Sequence, residues 1–238
     1  MENKVKRAII MAAGLGSRMR PVTDEIPKPL ITVNRKRIID TVIDGLIKNG
    51  IDDIYIVVGY KKECFDVLIS KYPKIHLVEN KYYDSCNNIS SLYVVREYLD
   101  RECIILDGDQ YIYNDLILTP EFDLSGYSAT WTDEKTDEWL MKETDGIVTE
   151  CSRTGGAKGW QLYSISRWTK ADAKKLSQYV QIEFENGNRQ IYWDDVPMFC
   201  YFGNFKLGIR KIEKEDIVEI DSFDELVSLD NSYEKYRL

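Results

Sequence analysis

Residues 8–30, AIIMAAGLGSRMRPVTDEIPKPL, read as a buried strand emptying into a glycine loop that carries cations. Gly14 and Gly16 give the backbone freedom in φ and let N–H groups come close to an anion, while Arg18 and Lys28 add full positive charge. Two other phosphate motifs are excluded by spacing. A Walker loop needs G-x-x-x-x-G-K-[ST], and Lys28 does not follow such a glycine pair. A dinucleotide fingerprint needs a third glycine where Met19 stands and an unbroken helix after it, which Pro21, Pro27 and Pro29 forbid. The loop is therefore long and expected to wrap its ligand.

The stretch AAGLGSRMRPVTDEIPKPL, residues 12–30, resembles the signature of the sugar-phosphate nucleotidyltransferases, in which this loop grips the phosphates of a nucleoside triphosphate. The resemblance implies nucleotide contacts at Ala12, Ala13, Gly14, Gly16, Ser17, Arg18 and Lys28. An ordinary strand-to-helix turn with surface cations is the plainer alternative, but the preceding strand supplies the context the motif requires.

At 238 residues, with 44% hydrophobic and 12% aromatic content, the chain can fill one large core. We expect a single unit over 1–238, with a nucleotide-binding part up to about residue 125 and an acceptor-binding part from about 126. A net charge of −8 argues against nucleic-acid binding, which usually shows a basic face. The five cysteines form no C-x-x-C pair and read as reduced, buried hydrophobes. No apolar run approaches a membrane span and the polar start is no signal peptide, so a cytoplasmic enzyme is expected.

After the loop, apolar residues at helical spacing predict a helix over 38–49, with Gly50 as its stop. Residues 54–58, IYIVV, read as an inner parallel strand, 63–72 as a helix closed by Pro73, and 75–78 as a short strand. This alternation predicts an α/β fold with a doubly wound, mostly parallel, Rossmann-like sheet, whose ligands bind at the carboxyl ends of the strands. From residue 127 the pattern turns to short strand-like pieces at 127–131, 138–142 and 147–150, expected to form a small acceptor-binding β/α subregion. Thr169 and Ser222 announce two further helices.

The polar run 84–92 caps a helix that continues to Leu99, or hydrogen-bonds the edge of a base. The family resemblance places this loop over the base and makes Asn88 and Ser91 the candidates. The strand 103–106 delivers Asp107-Gly108-Asp109, and a carboxylate there suits Mg²⁺, which takes one or two carboxylates plus phosphate oxygens. Asp107 serves equally well to brace the turn; the resemblance places the metal on Asp109. A second ligand is expected at Asp194 or Asp221. The run YWDD, 192–195, is similar to YWDN in the bacterial choline-phosphate cytidylyltransferases, which favours Asp194.

Across nearly the whole chain, IPKPLITVN, IVVGYKKECFD, NNISSLY, DEWL, YWDD and VEIDSFDEL resemble that choline-phosphate branch, whereas SRTGGAKGWQLYSIS, 152–166, does not match it. The resemblance implies Mg²⁺-dependent conversion of CTP and phosphocholine to CDP-choline and pyrophosphate, with Arg18, Lys28 and Asp109 as the catalytic groups. A phosphate acceptor is already anionic, so no general base is required, and His76 reads as a strand residue. A quaternary ammonium favours aromatic faces, and Trp139, Tyr192 and Trp193 supply them, although large aromatics also build cores. Lys158 either meets the acceptor phosphate or is a solvated turn lysine. Alternative acceptors are 2-aminoethylphosphonate, whose amine would be read by a carboxylate, and a sugar 1-phosphate. A nucleotide-sensing subunit without turnover is the non-enzymatic alternative, and oligomeric state and CTP against UTP stay open.

Overall fold

A computed structural model describes residues 3–237; the polar start at Met1 and Glu2 lies outside them. Strand β1 (Arg7–Ala12) is buried along its whole length. Ala8, Ile10 and Ala12 enter the apolar core on one side of it, Ile9 and Met11 the core on the other. A strand covered on both faces can afford no polar alternation, which is why the sequence there is a continuous apolar run. Around it stand β2 (Ile54–Val58), β3 (Ile75–Glu79) and β4 (Cys103–Asp107), all parallel, in the order β4-β1-β2-β3.

Helix α1 (Ile38–Lys48) packs Ile39, Val42, Ile43 and Leu46 onto one face of these strands. It ends as a Schellman motif: Gly50, at φ +77°, donates to Ile47 O and Ile51 donates to Leu46 O. The helix expected at 63–72 is a 3₁₀ turn (Lys62–Phe65) running into α2 (Asp66–Lys71). The helix expected to reach Leu99 stops earlier, as α3 (Ile89–Val94) followed by a 3₁₀ turn at Arg96–Tyr98. The Arg96 guanidinium donates to Tyr93 O at 2.8 Å, satisfying from a side chain a carbonyl that a longer helix would have paired internally.

The second half adds β5 (Gly126–Thr132), β6 (Leu140–Thr144), β7 (Ile147–Ser152), β8 (Gly159–Trp168), α4 (Lys170–Glu185), β9 (Gly208–Lys211) and α5 (Phe223–Leu229). Its strands continue the same sheet. Among the described residues the order is β5-β9-β7-β6-β8-β4-β1-β2-β3, with β5 also paired to β8. The splice is β8, antiparallel to β4 from Ile165↔Leu106 to Trp168↔Cys103. The sheet is thus mixed: parallel in the first half and mainly antiparallel in the second. The β6–β7 hairpin turns through Asp145-Gly146, both at positive φ, as a two-residue loop of this composition requires.

A separate two-stranded ribbon positions the site. Gln110–Ile112 pairs antiparallel with Ile217–Glu219, Gln110 opposite Glu219. Continuing that register brings Asp109 and Asp221 to the same end of the ribbon, at the carboxyl ends of β1 and β4.

Candidate active site

The loop after β1 is held open by buried anchors. Met19 is wholly buried in a third apolar cluster with Val22, Ile38 and Leu226, and Thr23 Oγ1 donates to Gly16 O at 2.9 Å. Gly16 sits at φ +61°, and a Cβ there would lie 3.0 Å from Thr23 and 3.1 Å from Lys28, so the turn needs glycine. Gly14 differs, since a Cβ there would meet nothing within 4 Å. Its missing side chain leaves the backbone open to the cavity.

Lys28 follows Pro27 in a 3₁₀ turn (Lys28–Leu30) that buries its stem. Its ammonium donates to Asp109 Oδ2 at 2.7 Å and to Asp221 Oδ1 at 2.8 Å. Arg18, largely exposed, reaches the same Asp221 oxygen at 3.2 Å. Burial alone would lower the pKa of Lys28, but the two carboxylates outweigh it and hold the ammonium above its ordinary value. Asp221 answers in kind: burial would raise it, and Lys28 and Arg18 bring it below the usual carboxylate range.

Three cavities meet here. One of about 290 Å³ runs along Ala12, Gly14, Gly16, Ser17 and Arg18 to Lys28, Asp109 and Asp221. A second, about 410 Å³, shares Arg18, Asp109 and Asp221 and extends past Asp107, Glu138, Trp139, Tyr192, Asp194 and Glu219. A third, about 190 Å³, lies on the far side of Ala13 and Gly14 against Asn80, Asn88, Ser90 and Ser91.

The second cavity is strongly acidic. Among the described residues Asp107, Glu138, Asp194 and Glu219 have no basic partner at salt-bridge distance. Burial pushes Asp194 up to about 7. Burial also raises Glu219 to about 7, against the hydrogen bond it accepts from Gln110 Nε2 at 2.7 Å. Asp107 is raised well above the usual range by burial and by the charges of Asp109, Asp194 and Glu219. Groups in this condition ionise fully when cations join them. Among the described residues no three His, Cys, Asp or Glu side chains converge at metal-binding spacing, and no helix is long and apolar enough to cross a membrane.

The structure brings most of the expected residues to these cavities. Asn88 lines two of them while its Oδ1 accepts from Trp193 N at 2.8 Å, and the Ser91 hydroxyl accepts from Asn80 Nδ2 at 3.1 Å. The Trp139 and Tyr192 rings stand 6.0 Å apart at 87°, both facing the second cavity. Two expectations are corrected. Trp193 is 1% exposed and packs on Tyr127 and Trp168 in the core, while its neighbour Tyr192 turns outward. Lys158 is exposed outside the cavities, its ammonium 5.9 Å from the Trp131 ring. Asp194 does line the second cavity, but Asp221, not Asp194, shares the Lys28 ammonium with Asp109.

Asn80 and Glu219 escaped the sequence reading. For Glu219 a signal existed: in Val218-Glu219-Ile220-Asp221 the two acids alternate with apolar residues, which puts both carboxylates on one side of an extended segment. Asn80 follows a strand and looks like any loop residue.

The chain matches the family profile described as nucleotidyl transferase over residues 7–119. It is 37% identical over 229 residues to the 2-aminoethylphosphonate cytidylyltransferase of Lancefieldella rimae, covering 95% of this chain and 92% of that protein. It is 34% identical to the choline-phosphate cytidylyltransferase of Streptococcus pneumoniae, covering 91% and 93%. The solved structure of the CTP:phosphocholine cytidylyltransferase of Streptococcus pneumoniae is similar to it at a TM-score of 0.88 and 33% identity, covering 96% of this chain and 99% of that one. The strand-end glycine loop carrying Arg18 and Lys28 and the Asp109–Asp221 ribbon thus lie in a chain that its relatives match along almost the full length, and the chain belongs to the nucleotidyltransferase family, among the cytidylyltransferases of the choline-phosphate type.

Proposed function

We propose that this chain transfers CMP from CTP to the phosphate or phosphonate oxygen of a small acceptor with a cationic ammonium head, releasing pyrophosphate. The observation that carries this reading is the junction of the cavities: a cation-bearing loop meets an acidic chamber whose carboxylates outnumber their basic partners. The triphosphate lies along the loop, with the base towards Asn80, Asn88 and Ser91. The acceptor lies in the acidic chamber.

In this reading an acceptor oxygen attacks the α-phosphorus, the bond to the bridging oxygen breaks, and pyrophosphate leaves with that electron pair. Arg18 and Lys28 neutralise charge that spreads over the phosphoryl oxygens, and the loop fixes the in-line geometry. The residues present fit Mg²⁺: the donors are all oxygens, and among the described residues the second oxygens of Asp109 and Asp221 carry no hydrogen bond. Asp109 and Asp221 would hold the ion, which when bound adds positive charge beside the phosphates. Asp221 replaces Asp194 in this role because it faces Asp109 across one ammonium, while Asp194 belongs to the acceptor chamber.

The chamber favours a primary ammonium. Among the described residues it offers two ring faces, Trp139 and Tyr192, beside the carboxylates of Glu138, Asp194 and Glu219, and a primary ammonium brings three hydrogen-bond donors for them. That chemistry is the one named for the Lancefieldella relative, 2-aminoethylphosphonate. The right-angled pair of rings is the specific observation on the side of phosphocholine, since aromatic faces attract a quaternary ammonium. A panel of CTP and UTP crossed with 2-aminoethylphosphonate, phosphocholine and a sugar 1-phosphate, scored by pyrophosphate, tests both. We expect CTP with 2-aminoethylphosphonate to give a kcat/KM about tenfold above phosphocholine, the discrimination of one well-made charged hydrogen bond. The reverse order would transfer the assignment to phosphocholine. Preference for the sugar phosphate would overturn the cationic acceptor altogether.

A further inference from the structure

We infer that Arg153 is a positioning residue for the acceptor, acting from outside the cavity through both aromatic walls. This deepens the proposed acceptor reading and rests on it. Arg153 lies in the stretch 152–166 that departs from the choline-phosphate branch, and it lines none of the three cavities. Its Nε donates to Asp195 Oδ1 at 2.6 Å. Asp195 is buried, and its other oxygen, Oδ2, accepts from the backbone N–H of Tyr192 at 2.8 Å. One carboxylate thus bridges a guanidinium to the peptide that carries the Tyr192 ring.

The same guanidinium lies over the Phe199 ring, 3.8 Å from its centroid, and Phe199 meets Trp139 edge-on at 5.3 Å. Arg153 therefore clamps the second wall as well. A buried carboxylate without its cation seeks another partner or a proton, and a rotated Asp195 releases the Tyr192 N–H. Tyr192 is itself 49% exposed, and without that bond it keeps only the edge-on Trp139 ring and the hydrogen bond its carbonyl accepts from Asp195 N at 3.1 Å. Neither Arg18 nor Lys28 touches this linkage. The effect should appear at the acceptor and not at the nucleotide.

Steady-state kinetics on the 238-residue chain tests this with Arg153→Ala, Arg153→Lys, Tyr192→Ala and the double variant Arg153→Ala/Tyr192→Ala, varying acceptor and CTP separately. Arg153→Ala is expected to raise the acceptor KM about tenfold, the scale of a lost charged hydrogen bond, and to leave the CTP KM unchanged. With the Tyr192 ring already removed, the same substitution should change the acceptor KM by no more than about twofold, because the two act as one unit. Arg153→Lys keeps a cation beside Asp195 and should fall between wild type and Arg153→Ala; it also carries the comparison if the alanine variant fails to fold. An unchanged acceptor KM overturns the inference, as does an equal rise in both KM values or full additivity with Tyr192→Ala. A wild-type chain that releases no pyrophosphate with any acceptor of the panel overturns the acceptor reading before any variant is made, and Arg153 falls with it.

Discussion

Asp109→Asn is expected to lower kcat by about three orders of magnitude, the scale on which single charge-stabilising groups act in phosphoryl transfer, while the protein stays folded. The carboxylate sits in the turn between β4 and the ribbon, where one oxygen accepts from Lys28 and the other is free to face a bound cation. The amide keeps the shape and one acceptor oxygen, so the backbone has no reason to move. What it removes is one negative charge from the pair that would hold the divalent ion. The Lys28 ammonium still has Asp221 at 2.8 Å, which preserves the loop. Pyrophosphate release measured against an unchanged circular-dichroism spectrum checks this. A variant that keeps a tenth of wild-type activity would remove Asp109 from the reaction.

Lys28→Met should damage both activity and stability, and the pH dependence of the second effect identifies its cause. In the variant Asp109 and Asp221 face each other without the ammonium between them. Breaking a buried pair typically costs a few kcal/mol, and because 34% of each carboxylate side chain stays accessible we expect about 2 kcal/mol. Asp221 is held below its ordinary pKa, with burial opposing and Lys28 and Arg18 prevailing. A carboxylate with a depressed folded pKa stabilises the fold above its unfolded pKa, and that contribution is lost as pH falls through the folded value. Deleting Lys28 removes the main cause of the depression. The deficit against wild type should be largest near neutral pH and shrink as pH falls below the ordinary carboxylate range through the depressed Asp221 value, where wild type loses the same contribution. Added Mg²⁺ should raise the variant's Tm more than the wild type's. Turnover should fall about 10²- to 10³-fold, as when one preorganised donor is lost from a transition-state site. A deficit that stays constant from neutral to acid pH would show that Lys28 supports the loop by packing and not by charge.

What the chain reveals without coordinates follows the range of the interactions. The strand that opens the 8–30 stretch, the glycine loop and the Gly50 stop are written in neighbouring residues, and they appear where expected. So does the capping box of α5, in which Ser222 and Glu225 satisfy each other's backbone. The strand end and the glycine mark Asp107 and Asp109 alike, and only the family resemblance singles out Asp109, the one the structure sets against Lys28. That Asp221 and not Asp194 shares the Lys28 ammonium with Asp109 is not legible locally, because it depends on a ribbon joining distant segments. Parity defeated the aromatic assignment: Tyr192 and Trp193 are adjacent, one faces solvent and the other the core, and the sequence does not say which. The mixed character of the sheet was missed for a local reason, since Asp145-Gly146 between two apolar runs is a hairpin signal that converts the second half to antiparallel pairing.

The ribbon also bears on how the enzyme regains its function after denaturation. Gln110 and Glu219 are separated by 109 residues in sequence and meet over only three pairs. Closing so long a loop carries a large entropic cost that few contacts offset, so such pairings form late. The parallel strands around β1 are covered chiefly by residues outside the ribbon, Ile112 and Ile217 being its part in their core. On dilution from denaturant, compactness and tryptophan fluorescence should therefore return ahead of pyrophosphate release, leaving an interval in which the protein is collapsed and inert.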